Sequence, residues 1–165
     1  MADTSSAPQP CTDLRPHVKR VTASSILNDD KSLYAPASVL QHGNDSVWNS
    51  DGGLPQWLQL KFSAPVTVRQ LSITFQGGFA GTEYTISGAA SGRSKDLAQV
   101  AAGHCEDSNE PQQLDIGDGL PTASLLRVTF NKAADFYGRI MVYEVSVLGD
   151  MAAAALASEP ADGST

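Results

Sequence analysis

The sequence is short of basic residues and has no long apolar run, and these two shortages exclude two classes of protein. Lysine and arginine together number 11 against 18 aspartates and glutamates, so the net charge is −7. Binding to a nucleic-acid backbone requires clustered basic residues, so we expect no direct nucleic-acid partner. No stretch approaches the roughly 18 consecutive apolar residues of a membrane-spanning helix, so we expect no membrane partner either.

Cysteine is also scarce, since the chain contains only Cys11 and Cys105. Small secreted domains usually carry an even disulfide framework, for which one unevenly placed pair is weak support. The first residues show no basic segment followed by an apolar one, so no secretory signal is predicted. We therefore expect an intracellular protein with reduced thiols.

Groups typical of catalysis or metal binding are sparse. His17, His42 and His104 lie far apart, and none has a metal-ligating neighbour at suitable spacing. Residues 104–107 are ligand types in a row, but successive residues of an extended chain point in opposite directions and rarely share one ion. A nucleophile elbow, a phosphate-binding loop and a dinucleotide fingerprint are all absent. We expect no catalytic residue, no cofactor and no metal.

Three carboxylates leave one enzymatic alternative open. Asp51, Asp135 and Glu144 could converge in space as the paired carboxylates of a glycoside hydrolase. Each has a simpler interpretation: Asp51 opens an Asp-Gly turn, Asp135 precedes an aromatic loop, and Glu144 lies in a predicted strand. An enzyme is therefore not expected.

Length and composition predict a single domain between two tails. Residues 1–17 are rich in serine, proline, threonine and aspartate, which predicts a disordered N-terminal tail. Residues 150–165 begin with an alanine-rich run that is too short to hold a helix alone, which predicts a flexible C-terminal tail. The domain itself is predicted over residues 18–149.

Between the tails, apolar and polar residues alternate with a period of two. This pattern is typical of strands with one buried face. The predicted buried positions are Leu58, Leu60 and Phe62; Leu71, Ile73 and Phe75; Tyr84 and Ile86; Leu114 and Ile116; Leu126, Val128 and Phe130; and Tyr143, Val145 and Val147. No amphipathic helix is long enough to cross over between parallel strands, so seven or eight short strands predict an antiparallel sandwich or jelly roll.

Breaks in the alternation predict turns and one irregularity. Ala64-Pro65 is among the turn signals that separate the runs. Val66 and Val68 stand in the opposite phase to Leu71, which predicts a bulge or a bend at Arg69-Gln70. Residues 23–33 show no alternation and have room for a turn of helix.

Three loop segments combine aromatic rings with polar or charged groups: residues 48–57, 75–79 and 135–139. Such side chains at loop tips on a rigid β scaffold are typical of binding surfaces. Trp48 and Trp57 are interpreted as core residues, because tryptophans beside strands mostly pack inside.

Two side chains in these loops carry more specific expectations. Phe79 follows two glycines, which predicts a ring that emerges from a tight turn. Arg139 could bind a partner's carboxylate or pair internally with Asp135 or Glu144, and the internal pair is favoured.

Several segments together resemble the discoidin, or coagulation-factor C-type, domain family. The segments are Val39-Leu40, Trp48-Asn49-Ser50, Gln56-Trp57-Leu58-Gln59-Leu60, and Gly138-Arg139-Ile140 through to Glu144-Val145-Ser146-Val147-Leu148-Gly149. Within that family, Phe75-Gln76-Gly77-Gly78-Phe79 and Asp135-Phe136-Tyr137-Gly138-Arg139 are similar to small intracellular members associated with an orphan nuclear receptor. The likeness covers residues 18–149 and implies an all-β, antiparallel, eight-stranded jelly-roll sandwich of the galactose-binding-like class.

The resemblance also implies a function. It implies a non-catalytic protein-binding module or adaptor of the nucleus or cytoplasm, monomeric by itself, that modulates a nuclear receptor or serves a multi-subunit complex. We expect the partner to contact one loop face, with Phe79 or Tyr137 as the aromatic anchor. The residues assigned to this face are Asn49, Asp51, Gln76, Phe79, Phe136, Tyr137 and Arg139.

Other members of the wider fold leave alternatives open. A carbohydrate-binding module is one, because sugar sites use aromatic platforms flanked by Asn, Asp, Gln or Arg. Residues 48–55 are also similar to the Doc-homology substrate receptor of a ubiquitin ligase, although Gln56 replaces its histidine, and a related jelly roll serves as a docking piece in ciliary transport. Calcium-binding relatives carry Asp-Gly-Asp where this chain reads Gln41-His42-Gly43, so no structural calcium is expected, although Glu144 matches a late glutamate of some relatives.

Overall fold

Antiparallel strands dominate the computed structural model, which describes residues 11–41 and 46–152. The strands are β1 (Thr12–Asp13), β2 (Val18–Ala23), β3 (Trp48–Asn49), β4 (Gln56–Phe75), β5 (Gly81–Ala89), β6 (Ala98–His104), β7 (Gln112–Gln113), β8 (Ala123–Ala133) and β9 (Met141–Met151). A short helix α1 spans Lys31–Tyr34, and 3₁₀ turns cover Arg15–His17, Leu27–Asp29, Pro36–Leu40 and Ser94–Asp96. Within these residues no helix is both long and apolar enough to cross a bilayer.

Strand β4 joins the two halves of the β structure. Its first half, residues 56–62, pairs with β2 on one side and with β8 on the other, and β8 continues the ladder through β5 to β6. Its second half, residues 66–75, pairs with β9, which also holds β1 and β3. The predicted turn at Ala64-Pro65 is therefore wrong, because the strand continues through it. Proline is tolerated there because the register with β8 breaks between Lys61 and Val66.

The register of β4 with β9 contains two irregularities. The first, between Val68 and Gln70, confirms the bulge predicted at Arg69-Gln70. The second lies between Thr74 and Phe75 and brings Val142 opposite Phe75. Val142 is consequently buried while Tyr143 is only partly covered, so the predicted alternation from Tyr143 to Val147 fails at its first position.

The core is built from the predicted buried positions other than Tyr143, together with the ring of Trp48. Phe75 and Phe130 meet edge to face with their centroids 5.7 Å apart. Trp48 is fully buried, as predicted, and its Nε1 donates to the carbonyl of Ser25 at 2.9 Å. Trp57 is not a core residue: its ring is only half-buried on the outer face of β4, with the guanidinium of Arg127 4.0 Å from its centroid.

The folded region extends past both predicted boundaries of the domain. Thr12 pairs with Gly149, and Leu14 is fully buried, so residues 11–17 belong to the fold rather than to a disordered tail. At the other end, β9 continues to Met151 and Ala152 is buried. The rest of the two predicted tails, residues 1–10 and 153–165, lies outside the described residues, as do His42 and Gly43.

Candidate functional site

The structure brings the three aromatic loops together at one end of the strands. The backbone N–H of Gly53 donates to the carbonyl of Tyr137 at 2.7 Å, which ties the first loop to the third. The N–H of Met141 donates to the carbonyl of Phe79 at 3.1 Å, which ties the second loop to the strand that follows the third. We call the surface formed by Asp51, Leu54, Phe79, Phe136, Tyr137 and Arg139 the loop face.

The turn of residues 135–139 is organised by one carboxylate. Asp135 Oδ2 accepts hydrogen bonds from the backbone N–H groups of Tyr137 at 3.2 Å and Arg139 at 3.0 Å, and from Arg139 Nε at 3.2 Å. Burial acts to raise the pKa of Asp135, but the hydrogen bonds from Arg139 outweigh it, so the pKa lies below its usual range. The predicted internal ion pair of Arg139 is therefore formed with Asp135, while Glu144 pairs with Arg15 at 2.9 Å.

Two aromatic rings project from this turn into solvent. Phe136 is 92% exposed and Tyr137 is 67% exposed, and their rings meet edge to face with centroids 5.2 Å apart. The guanidinium of Arg139 lies 5.7 Å from the ring centroid of Tyr137 and 5.4 Å from that of Phe79. Exposed apolar side chains that are grouped and held in place are typical of interaction surfaces.

Glycines permit the close approach of the first and third loops. A Cβ atom at Gly52 would stand 2.9 Å from the carbonyl oxygen of Tyr137. Gly138 has a φ of 82°, and a Cβ atom there would stand 3.0 Å from the nitrogen of Gly53. Leu54, which is 42% exposed, lies against Gly138 and extends the apolar surface of Phe136 and Tyr137.

Phe79 is half-buried, so its ring does not emerge fully from the turn as the two preceding glycines predict. The turn is held from outside by two side chains of the segment that follows β6. Asn109 Oδ1 accepts from the N–H of Gly77 at 2.6 Å, and Asp107 Oδ1 accepts from the N–H of Gly78 at 2.8 Å. Sequence reasoning missed this support, since a polar loop gives no sign of which backbone it contacts.

Two of the residues assigned to the face point away from it. Asn49 is only 7% exposed, and its Oδ1 has no hydrogen-bond partner within the described chain. Gln76 is partly buried and accepts from the hydroxyl of Tyr143 at 2.5 Å. The Asn49 side chain is thus buried, and the amide oxygen of Gln76 is engaged within the fold, so neither group is free for a partner.

The side chains of Asp51 and Gln56 hold the first loop in place through hydrogen bonds. The exposed Asp51 accepts from the N–H of Asn28 at 3.2 Å through Oδ1. Gln56 is 6% exposed; its Nε2 donates to the carbonyl of Gly53 at 2.7 Å, and its Oε1 accepts from the hydroxyl of Ser25 at 2.7 Å. Sequence reasoning noted Gln56 only as a departure from a histidine-containing pattern, although a glutamine that starts a strand beside a Gly-Gly turn is suited to bridging it.

Several titratable side chains outside the loop face form ion pairs, among them Arg15 with Asp13 and Glu144, and Arg69 with Asp150. Among the described residues no group of three His, Cys, Asp or Glu side chains is arranged to hold a metal ion. Both cysteines are free thiols, and burial together with the nearby Glu106 raises the pKa of Cys105 to about 11. Cys105 is therefore protonated and unreactive at neutral pH.

Comparison with curated proteins finds one group of similar sequences. The chain is 34% identical over 127 residues to nuclear receptor 2C2-associated protein of Danio rerio, which covers 77% of this chain and 88% of that protein. The protein of the same name in Homo sapiens is 34% identical over 129 residues, covering 77% of this chain and 88% of its own. No family model matches the sequence.

Comparison with solved structures finds jelly-roll binding modules. An F5/8 type C domain from Bacteroides fragilis superposes with a TM-score of 0.73 at 16% identity, over 88% of this chain and all of that domain. A chitosan-binding module from Paenibacillus superposes with a TM-score of 0.67 at 21% identity, over 84% of this chain and 99% of that module. A family 32 carbohydrate-binding module from C. perfringens, solved with galactose, superposes with a TM-score of 0.66 at 21% identity, over 84% of this chain and 98% of that module. These likenesses confirm the predicted discoidin-type fold.

Proposed function

The chain belongs to the nuclear receptor 2C2-associated protein family, and we propose that it is a non-catalytic protein-binding module of the nucleus or cytoplasm. Its partner is a nuclear receptor, by itself or within a multi-subunit complex, and the receptor is bound by the loop face. The observation that carries this proposal is the exposure of Phe136 and Tyr137 on a turn whose backbone is fixed by Asp135.

The physical basis is burial of preformed apolar surface. Aromatic side chains bury about 150–250 Å² each when they are covered, and they dominate the energetics of interfaces. Because Asp135 and Gly138 already hold the turn, little conformational entropy would be lost when a partner covers it. Truncation of such an anchor typically weakens binding by about 2 kcal/mol or more.

Charge would add orientation to this apolar contact. Arg139 is paired with Asp135, yet its side chain remains 36% exposed and keeps donors for a partner's carboxylate. Asp51 stands exposed on the neighbouring loop, so a positive and a negative group lie on the same face. Such a pair favours one orientation of a partner more than it raises affinity.

Binding of the purified chain to purified nuclear receptor 2C2 by biolayer interferometry tests the proposal. We expect wild type to bind and the Phe136→Ala/Tyr137→Ala variant to bind about 30-fold more weakly, the equivalent of about 2 kcal/mol. Leu33→Ala is the matched control, because Leu33 is an apolar side chain that is 59% exposed outside the loop face. Equal affinity of wild type and the double variant would assign the receptor contact to another surface, and no binding by wild type would reject the receptor as partner.

A carbohydrate-binding function is the second candidate, favoured by the exposed rings on a fold shared with sugar-binding modules. The polar groups argue against it, because Asn49 is buried, Gln76 is bonded to Tyr143, and Asp135 is paired with Arg139. A sugar site needs such groups free to hydrogen-bond hydroxyls. A rise in melting temperature with galactose or chitosan oligomers, lost in Tyr137→Ala, would favour this candidate over the receptor.

A further inference from the structure

A groove of about 360 Å³ crosses the outer face of β2, β4 and β8, away from the loop face. Its lining residues are Arg20, Thr22, Gln59, Lys61, Gly92, Arg93, Ser94 and Leu125. Three of them are cationic and none is acidic, although the chain has 11 basic and 18 acidic residues. This clustering of positive charge is therefore opposite to what the composition favours. We call the surface the cationic groove.

Arg20 and Lys61 meet in a like-charge arrangement. They are register partners on the adjacent strands β2 and β4, and both are exposed. Neither forms an ion pair within the described residues. Like charges directly opposite each other in a sheet repel, so the free protein carries an unfavourable interaction that a bound anion would remove.

The third cation adds to the positive field without being neutralised completely. Arg93 lies in the segment after β5 and pairs with Asp96 at 3.5 Å, with both side chains largely exposed. Exposed pairs of this kind are weak and remain accessible to a competing anion.

Neutral donors surround the three cations. Thr22 and Ser94 supply hydroxyl groups to the lining of the cationic groove. Gln59 is register partner of both Thr22 and Arg127, and its Oε1 accepts from Arg127 Nε at 2.9 Å. Since that oxygen is occupied, the group that Gln59 offers to a ligand is its NH₂ donor. The lining is thus suited to an acceptor-rich, negatively charged ligand.

We propose that the cationic groove binds an extended acidic peptide segment of a protein partner. Carboxylates at alternate positions of an extended chain lie on one side, so several of them can face the cationic groove at once. Three cations on a molecule of net charge −7 are too few to hold a nucleic-acid backbone. The groove is also separate from the loop face, since Lys61 lies five residues, or about 17 Å, along β4 from Gln56.

Fluorescence anisotropy with the full chain tests this proposal. The probe is a fluorescein-labelled 12-residue peptide that alternates glutamate with serine; a second arm uses the same peptide with two phosphoserines, and a third a 12-nucleotide single-stranded RNA. Each arm is measured at 50 and 300 mM NaCl. The variant is Arg20→Gln/Lys61→Gln, and Lys31→Gln/Lys132→Gln, which removes the same charge from exposed sites outside the groove, is the control.

We expect the glutamate peptide to bind wild type, and to bind it more weakly at 300 than at 50 mM NaCl. Its affinity for Arg20→Gln/Lys61→Gln should be at least tenfold lower than for wild type. Its affinity for the control variant should be within twofold of the wild-type value. The melting temperature of the groove variant should be equal to or above that of wild type, because a repulsion has been removed. Tighter binding of the phosphorylated peptide would assign phosphorylated acidic segments as the source, and equal binding would assign carboxylates. Equal affinity of wild type and variant, or RNA binding tighter than either peptide, would overturn the proposal.

Discussion

Asp135 is the residue on which the shape of the loop face depends most directly. Its carboxylate accepts two backbone hydrogen bonds and pairs with Arg139, so one side chain fixes both the turn and the cation beside the rings. Hydrogen bonds to a charged group contribute more than neutral ones, and their loss in a covered turn is correspondingly costly. The isosteric substitution Asp135→Asn therefore isolates the contribution of the carboxylate charge to the free energy of unfolding.

We expect Asp135→Asn to lower the free energy of unfolding by about 1–3 kcal/mol at pH 7. Because the pKa of Asp135 is lowered in the folded state, its contribution is fully present above the unfolded pKa, near 3.9, and is lost as pH falls through the folded pKa. Urea denaturation of both proteins between pH 7 and pH 3 should show a difference that is constant down to about pH 5 and then shrinks. Asp118→Asn, at an exposed carboxylate without an ion pair in the described chain, should show little difference at any pH. A difference for Asp135→Asn that grows on acidification would contradict this explanation.

At the scale of single elements, the first residue of β4 holds the first loop in place through hydrogen bonds. Gln56, the first residue of the strand, spans from the hydroxyls of the segment after β2 to the carbonyl of Gly53. Its amide thus connects an ordered strand to a turn that contacts Tyr137. Gln56 therefore helps to hold the first loop in place against the strand.

We expect Gln56→Ala to loosen residues 51–54 while the strands stay intact, since it removes the hydrogen bonds that the carbonyl of Gly53 and the hydroxyl of Ser25 make to the Gln56 amide. Hydrogen exchange of the Gly53 amide, which donates to Tyr137, should become at least tenfold faster. Amides in the middle of β8, such as Val128, should exchange at nearly the wild-type rate and provide the internal control. Equal acceleration of both would indicate global destabilisation instead of a local effect.

Elements also show how far the sequence determines the structure. Period-two alternation predicted β4, β5, β8 and β9, because burial of one face of a strand selects apolar residues at every second position, and the change of phase predicted the bulge at Arg69-Gln70. The alternation did not predict β2 and β6, and the run at Leu114 and Ile116 is buried without forming a strand. The continuity of β4 through Pro65 was not visible, because it depends on where pairing with β8 is interrupted. In the site, an internal ion pair of Arg139 was predicted, but the choice between Asp135 and Glu144 came only from the structure. The bracing by Asn109 and the inward placement of Asn49 arise from long-range packing that leaves no local signal.

At the scale of the whole molecule, the two proposed surfaces lie on different parts of one rigid scaffold. The loop face occupies the end where β4 begins and β9 begins, whereas the cationic groove lies on the outer side of the sheet further along β4. Sites more than about 10 Å apart without shared partners usually contribute additively. The molecule could therefore hold two segments of a partner at once.

We expect the Phe136→Ala/Tyr137→Ala variant to bind the glutamate–serine peptide within twofold of the wild-type affinity. Combining it with Arg20→Gln/Lys61→Gln should change the free energy of unfolding by the sum of the two separate changes, within about 0.5 kcal/mol. Anisotropy and urea denaturation of the three variants measure both quantities. A larger departure from the sum would mean that the two surfaces are coupled.

The pairing of β1 with β9 has a consequence for how the molecule can be handled. Thr12 stands opposite Gly149, so residues 11 and 152, which flank β1 and β9, lie at the end of β9 remote from Met141 and the aromatic rings. Adjacent strands are separated by about 5 Å, a gap that a short flexible linker closes easily. The chain is thus a natural candidate for circular permutation, and attaching it to a sensor surface near either of these residues would leave the rings directed toward the solution.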